Sequence, residues 1–484
     1  MHRIRTNFIL NTISQLLRII TPLITTPYVS RVLGVDKVGT FSFSLSIQSY
    51  FCLFAVLGTV AYGSREVARE RENVSKVSEI FWEITVLRAL TTMLALIGWF
   101  ILLSLQSENR IVFLILTAYV IASFFDISWL YTGLEKFPYI VTKTIIVRVL
   151  EVICIFIFVN SPDDLPIYCA IMGGGMLLGN ISLWLNLHNC IGRVRIRELK
   201  PWRHFKGVII YFLPSVATTI YTVLDKTLIG VITKSNYENG IYEQTTKVIE
   251  IAKAITFTSL NAVLSPRSSY LYIKKQFDII KQNLSLSIEI MLAIGFGFVF
   301  GISAVANRFV PAFFGEGYSG TVLLLRLLSP IIVIITISNA LGDQYYNPAG
   351  LRLKTSVYLI IGAGTNLLFN LILIPFFKSA GAVVASLIAE AVITALYLHN
   401  CEKYVTLRQV FMLSWKKILA GIIMAGFIVL LDRLVPNTII GLVGIIAAGG
   451  TAYLISLIVI RDHATLYVIN EVLSKIKKPR QEQS

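Results

Sequence analysis

Residues 239–255 read NGIYEQTTKVIEIAKAI, an apolar helical pattern carrying Glu243, Lys247, Glu250 and Lys253 at intervals of 4, 3 and 3. The surrounding chain makes these charges conspicuous. Of its 484 residues 55% are hydrophobic and 14% charged, with mean hydropathy +0.73, whereas soluble domains average about 25% charged. A charge facing lipid at mid-bilayer costs about 2.5 to 3.5 kcal/mol, so four unpaired ones would cost roughly 10. They must pair or meet water. One reading is a self-neutralising ladder, each charge reaching its opposite one turn away; the other is the lining of a hydrated cavity. The two can coexist.

Outward from this stretch, apolar runs long enough to cross about 30 Å of hydrocarbon recur from end to end. They fall at 7–30, 39–60, 80–104, 111–133, 140–160, 165–188, 207–233, 241–264, 284–306, 321–342, 354–376, 379–400, 415–434 and 438–460. The expectation is an all-α integral membrane protein of about 14 spans with no separate soluble domain. The basic N-terminus leads into a retained first span, since no cleavage site follows. Every second connection is basic, with about 29 Lys and Arg against 7 in the others, which places both termini in the cytoplasm. Topology thus accounts for the net charge of +16, and nucleic acid is not an expected partner.

Polar residues form stripes. In the first span Asn7, Asn11, Ser14, Arg18, Thr21 and Thr25 share one helical face, and in the seventh Tyr211, Ser215, Thr218, Thr222 and Asp225 do the same. Gly39 opens the second span with Ser42, Ser46 and Ser49 at offsets 3, 7 and 10; Gly240 opens the eighth with Glu243, Lys247 and Glu250 at the same offsets. Two related six-helix halves, residues 1–206 and 207–400, are expected around a central cavity. A further helix pair and basic tail occupy 401–484. Cavity candidates are Arg18, Lys226, Lys247, Lys253, Asn11 and Ser46; candidates for ion coupling are Asp225, Glu243, Glu250 and Glu390.

Other features read as structural or absent. Arg148 and Glu151 are spaced for an ion pair, Arg88 and Arg326 for snorkelling, and Asp126 for either interhelical bonding or proton carriage. The glycines at 173–175 lack a following GK[ST] and read as close helix packing. Five scattered cysteines give neither a disulfide framework nor a zinc site. No cofactor is expected.

The segments TPLITTPYVSRVLGVDKVGTFSFSLSIQSYF, LGTVAYGSREVARER, LDKTLIG, GIYEQTTKVIEI, VLSPRSS and GTNLLFNLILIPFFKSAGAVVASLIAE occur in that order over about residues 7–400. They resemble the polysaccharide-repeat-unit flippases of the multidrug/oligosaccharidyl-lipid/polysaccharide exporter superfamily. The resemblance implies two six-helix bundles in an inverted V, moving undecaprenyl-diphosphate-linked oligosaccharides from the inner to the outer leaflet of the bacterial plasma membrane. It implies no enzyme activity, energy from a proton or sodium gradient, membrane lipids as surroundings, and a polysaccharide polymerase with its chain-length machinery as partners. The family's basic cavity would correspond to Arg18, Lys226, Lys247 and Lys253. Many relatives have 12 spans; the extra pair at 415–460 is similar to that of lipid II flippases, where it forms a lipid groove. A lipid II flippase and a multidrug or cation extruder are the alternatives, the second disfavoured by the cationic candidates. A glycosyltransferase would need a sizeable catalytic loop, and the longest outer loop, 307–320, is short.

Overall fold

A computed structural model describes the backbone of residues 2–106, 108–401 and 404–477; the side chains of 2–19, 196, 214, 217, 220, 221, 259, 262, 263, 472, 473 and 475–477 are outside the description. Among the described residues there are helices and no strands. Contacts divide the chain into two compact units, residues 1–243 and 244–484.

The first unit contains α1 (His2–Val56), α2 (Thr59–Glu70), α3 (Val74–Leu105), α4 (Arg110–Phe125), α5 (Ser128–Gly133), α6 (Phe137–Phe158), α7 (Leu165–Ser182), α8 (Phe205–Thr233) and the start of α9 (Asn236–Lys253). The second continues through α10 (Ser259–Ile273), α11 (Phe277–Phe314), α12 (Ser319–Leu328), α13 (Ile331–Leu341), α14 (Arg352–His399), α15 (Leu407–Leu434), α16 (Ile439–Val459) and α17 (His463–Lys477). Each expected span is largely helical. Two adjacent pairs of spans run together as α1 and α14, broken only by non-helical backbone at Gly34 (φ 75°) and Lys378 (φ 53°). Positive φ carries no Cβ penalty at Gly34. By length and composition, seven helices among the described residues qualify as membrane-crossing, or eight if the bent pair α12 and α13 is one span.

Small residues let the first unit close. A Cβ on Gly173 would lie 3.2 Å from the Tyr119 ring of α4, and one on Gly175 would meet Glu151 of α6, so these two of the three glycines serve close packing, while Gly174 faces open space. Glu151 pairs with Arg148 at 2.7 Å as its spacing predicts.

Arg88 corrects the snorkelling expectation. It is 1% exposed in the middle of α3 and donates from Nη1 to the Asp126 carbonyl at 2.6 Å. That carbonyl lies where α4 ends, so the guanidinium serves a helix C-terminus, where positive charge is favoured. The Asp126 carboxylate accepts from the Ser128 amide at 3.0 Å and starts α5.

Two buried ionic clusters fix the connections. In the first unit Glu83, 2% exposed, accepts from the Lys200 amide at 2.7 Å and from Arg203 Nη2 at 2.6 Å, and meets His204 Nε2 at 2.7 Å. Tyr62 and His204 Nδ1 lie 2.8 Å apart; with Nε2–H donating to Glu83, the phenol donates to Nδ1. In the second unit Lys417 of α15, wholly buried, pairs with Asp462 at 2.6 Å and with Glu289 of α11 at 3.5 Å. His463, the first residue of α17, lies 3.0 Å from the same Glu289.

Lys417→Met leaves two buried carboxylates without their ammonium and is expected to cost about 3 to 5 kcal/mol, measured as a fall in the melting temperature of the purified protein. At His204 burial pushes the imidazole below its ordinary value of 6.5, against the pull of Glu83. Its stabilising contribution is therefore full above about pH 6.5 and is lost as the pH falls through the depressed folded-state value, because the unfolded chain takes the proton first. Between pH 7.5 and 5.5 the wild-type melting temperature should drop more steeply than that of His204→Gln.

Candidate functional site

Polar residues of the second, seventh and eighth spans meet at a seam in the first unit, where the second leg of α1 meets α8 and the first turns of α9. Helix contact begins at two glycines. A Cβ on Gly39 would collide with the Asn236 carbonyl and lie 2.8 Å from the Gly240 amide; one on Gly240 would lie 2.8 Å from Val35 Cγ2. Only residues without side chains permit this approach.

One turn further, Ser42 donates to Glu243 Oε2 at 2.7 Å, and Lys226 Nζ of α8 reaches the same oxygen at 2.7 Å. The sequence places Gly39 opposite Gly240 and Ser42 opposite Glu243 as matching positions of two helices; the structure brings each into contact with its match. Asp225, 7% exposed, accepts a short hydrogen bond from Tyr242. A second chain runs parallel: Tyr50 lies 3.2 Å from Thr227, whose hydroxyl donates to Ser46 at 2.9 Å, and Ser46 donates to the Phe43 carbonyl at 2.7 Å. The Asn239 amide, fully buried, binds the Lys226 carbonyl at 2.8 Å and the Gly230 amide at 3.1 Å, which steadies α8 beside its charged residues.

The charges of the opening stretch thus reach beyond their own helix as well as along it: Glu243 pairs with Lys226 of α8, and Glu250 and Lys253 pair with each other at 2.9 Å on the second-unit part of α9. Lys247, half-buried, lies between them on that helix. Asn11 and Arg18 lie outside the described side chains.

Glu390, 5% exposed, belongs to a separate polar row in the second unit. There the two legs of α14 face each other: Asn370 donates to Asn366 at 3.0 Å and Asn366 to Ser386 at 3.3 Å, with Ser386 one turn from Glu390. The sequence reading missed Asn366, Asn370, Tyr242 and Thr227. The asparagines carried a signal, four residues apart in an apolar run; Tyr242 and Thr227 carried none, being ordinary helix residues.

The second unit also holds an apolar groove of about 690 Å³ bounded by α11, α15, α16 and α17, with Gly297, Gly301, Met424, Tyr453, Leu457 and Val468 on its walls. Among the described residues no group of three or more His, Cys, Asp or Glu is placed to hold a metal.

The chain is 24% identical over 400 residues to a protein named "Putative O-antigen transporter" from Escherichia coli (strain K12), covering 82% of this chain and 96% of that one. Its fold is similar to that of the lipid II flippase MurJ in an inward closed conformation, with TM-score 0.73 and 16% identity over 94% of this chain and 99% of the other. It is also similar to that of an inward-facing multidrug resistance MATE family transporter, with TM-score 0.60 and 13% identity over 81% and 95%. The family described as Polysaccharide biosynthesis protein matches residues 4–272, more than half of the sequence, and the chain belongs to that family, built on the fold shared by flippases and exporters of the multidrug/oligosaccharidyl-lipid/polysaccharide superfamily.

Proposed function

We propose that this protein carries undecaprenyl-diphosphate-linked oligosaccharide repeat units from the cytoplasmic to the outer leaflet of the bacterial plasma membrane, with both termini in the cytoplasm and an ion gradient as the energy source. Its family and its likeness to the O-antigen transporter over nearly all of that relative support the cargo class. It acts as a carrier, not an enzyme.

The observation that carries the reading is the apolar groove of the second unit. A lipid-linked glycan joins a hydrocarbon tail to a head of roughly two negative charges and a hydrated sugar, and only the head pays a large cost to leave water. A carrier therefore needs an apolar track for the tail and polar, cationic groups for the head. The groove suits the first; Arg18, Lys226, Lys247 and Lys253 supply the second, with Asn11 and Ser46 for the sugar.

Lys226 is held by Glu243 in this structure, which gives a route to coupling. A proton or sodium ion arriving at Glu243 weakens its hold on Lys226, and the freed ammonium can bind diphosphate. Asp225, Glu250 and Glu390 are further coupling candidates. Alternating exposure of the cations to the two sides then completes transport.

The test is uptake and release of labelled lipid-linked oligosaccharide by proteoliposomes under imposed proton and sodium gradients, with lipid II and a cationic dye as rival cargoes. Preference for either rival would overturn the cargo assignment. Arg18→Ala is expected to lower transport by about tenfold or more, the scale of a lost charge-assisted contact, while the protein remains in the membrane at wild-type level. Glu243→Gln is expected to flatten the response to the gradient more than Glu250→Gln does, because only Glu243 holds Lys226; equal responses to both would exclude the exchange.

A further inference from the structure

The connector between α7 and α8 has a composition that its structural job does not require. Residues 191–206 read IGRVRIRELKPWRHFK and hold six cations, Arg193, Arg195, Arg197, Lys200, Arg203 and Lys206, against one acid, Glu198. Arg203 is committed to Glu83, whereas Arg195 meets Glu198 at 3.2 Å in a pair so exposed that it holds the arginine only weakly. Arg193, Arg197, Lys200 and Lys206 are exposed and make no ion pair among the described residues. Beside them Trp202 is 67% exposed and Phe205 42%, their rings edge to face at 5.9 Å.

A topology signal needs the positive charge alone. It needs neither an outward-facing tryptophan nor a fixed shape. This connector has both, because Glu83 ties down the Lys200 amide, Arg203 and His204 and so holds Trp202 between two anchored neighbours. An indole whose apolar body and polar N–H sit at a membrane boundary, flanked by unpaired arginine and lysine, is suited to a lipid headgroup layer. The acyl region receives the ring and the phosphates receive the cations.

We infer that residues 191–206 form a binding surface for anionic phospholipid headgroups, with Trp202 and Phe205 seated at the headgroup–acyl boundary and Arg193, Arg195 and Arg197 on the phosphates. Arg193, Arg195 and Arg197 are all exposed and lie within five residues of chain, close enough to meet one headgroup layer. The surface is distinct from the polar seam and from the apolar groove, and its occupant is a bilayer lipid, not the transported cargo.

The experiment compares wild type, the triple variant Arg193→Ala/Arg195→Ala/Arg197→Ala, and a control losing three exposed cations elsewhere, Arg267→Ala/Lys274→Ala/Lys281→Ala. Each is purified in a neutral detergent and titrated with phosphatidylglycerol, phosphatidylcholine or inorganic phosphate. Retained lipid is counted by native mass spectrometry and melting temperature is followed in parallel. Wild type and control should retain about fivefold or more phosphatidylglycerol over phosphatidylcholine at low salt, a selectivity that shrinks as salt screens the charges. The triple variant should lose that selectivity with its melting temperature in phosphatidylcholine unchanged.

Unaltered selectivity in the triple variant overturns the inference, as does equal retention of both lipids by wild type, which would leave the cations to an acidic protein. Equal stabilisation by inorganic phosphate also overturns it, since that would mark a simple anion site. None of these readouts depends on transport, so failure here and failure of the flippase reading are separable.

Discussion

Every ionisable group inside hydrocarbon must meet its opposite charge or water, and the Lys226–Glu243 contact is where this constraint organises the first unit. The carboxylate is shared with Ser42 at the same oxygen, so one acid binds three helices together. Removing any one partner would leave the others with incompletely satisfied polar groups in a low-dielectric setting, where that deficit is expensive.

The two buried ionic clusters have a different character. Glu83 binds a backbone amide, an arginine and a histidine from one short connector, and Lys417 gathers carboxylates from α11 and from the residue before α17. Both tie a connecting segment to a long helix. Glu83 meets Arg203 one to one, whereas Lys417 stands between two carboxylates with His463 beside one of them. Charge burial in this protein therefore serves two ends: fastening segments at helix ends and building a polar seam among helices.

Most of the fold was legible in the primary structure, since apolar runs separated by basic connections leave few alternatives to a helical membrane protein. The joining of span pairs across Gly34 and Lys378 was not, because a run of apolar residues does not reveal whether the backbone stops or merely swings. At the seam, periodicity picked out faces whose residues make polar contacts in the structure, including Ser42, Ser46, Asp225 and Glu243. It could not find pairing across helices. Glu243 had a cation one turn away at Lys247, and local spacing favours that partner; the structure adds Lys226, adjacent only through tertiary packing. Arg88 failed for a related reason: its distance from the span end was readable, whereas the helix terminus it serves at Asp126 was not.

The crossing of α1 and α9 at Gly39 and Gly240 is a meeting of main chains: a Cβ on Gly39 would collide with the Asn236 carbonyl and one on Gly240 with the Val35 carbonyl, and no rotamer change moves either. A genetic consequence follows. Where a bulky residue disables one wall of an ordinary core, trimming the facing side chain can restore the fit. Here the facing atoms are backbone carbonyls of Asn236 and Val35, which trimming a side chain leaves in place, so a lesion at either glycine has no reciprocal cure. Suppressors of such mutants should map instead to the short turn before Asn236, where the chain could be let out to move the two backbones apart.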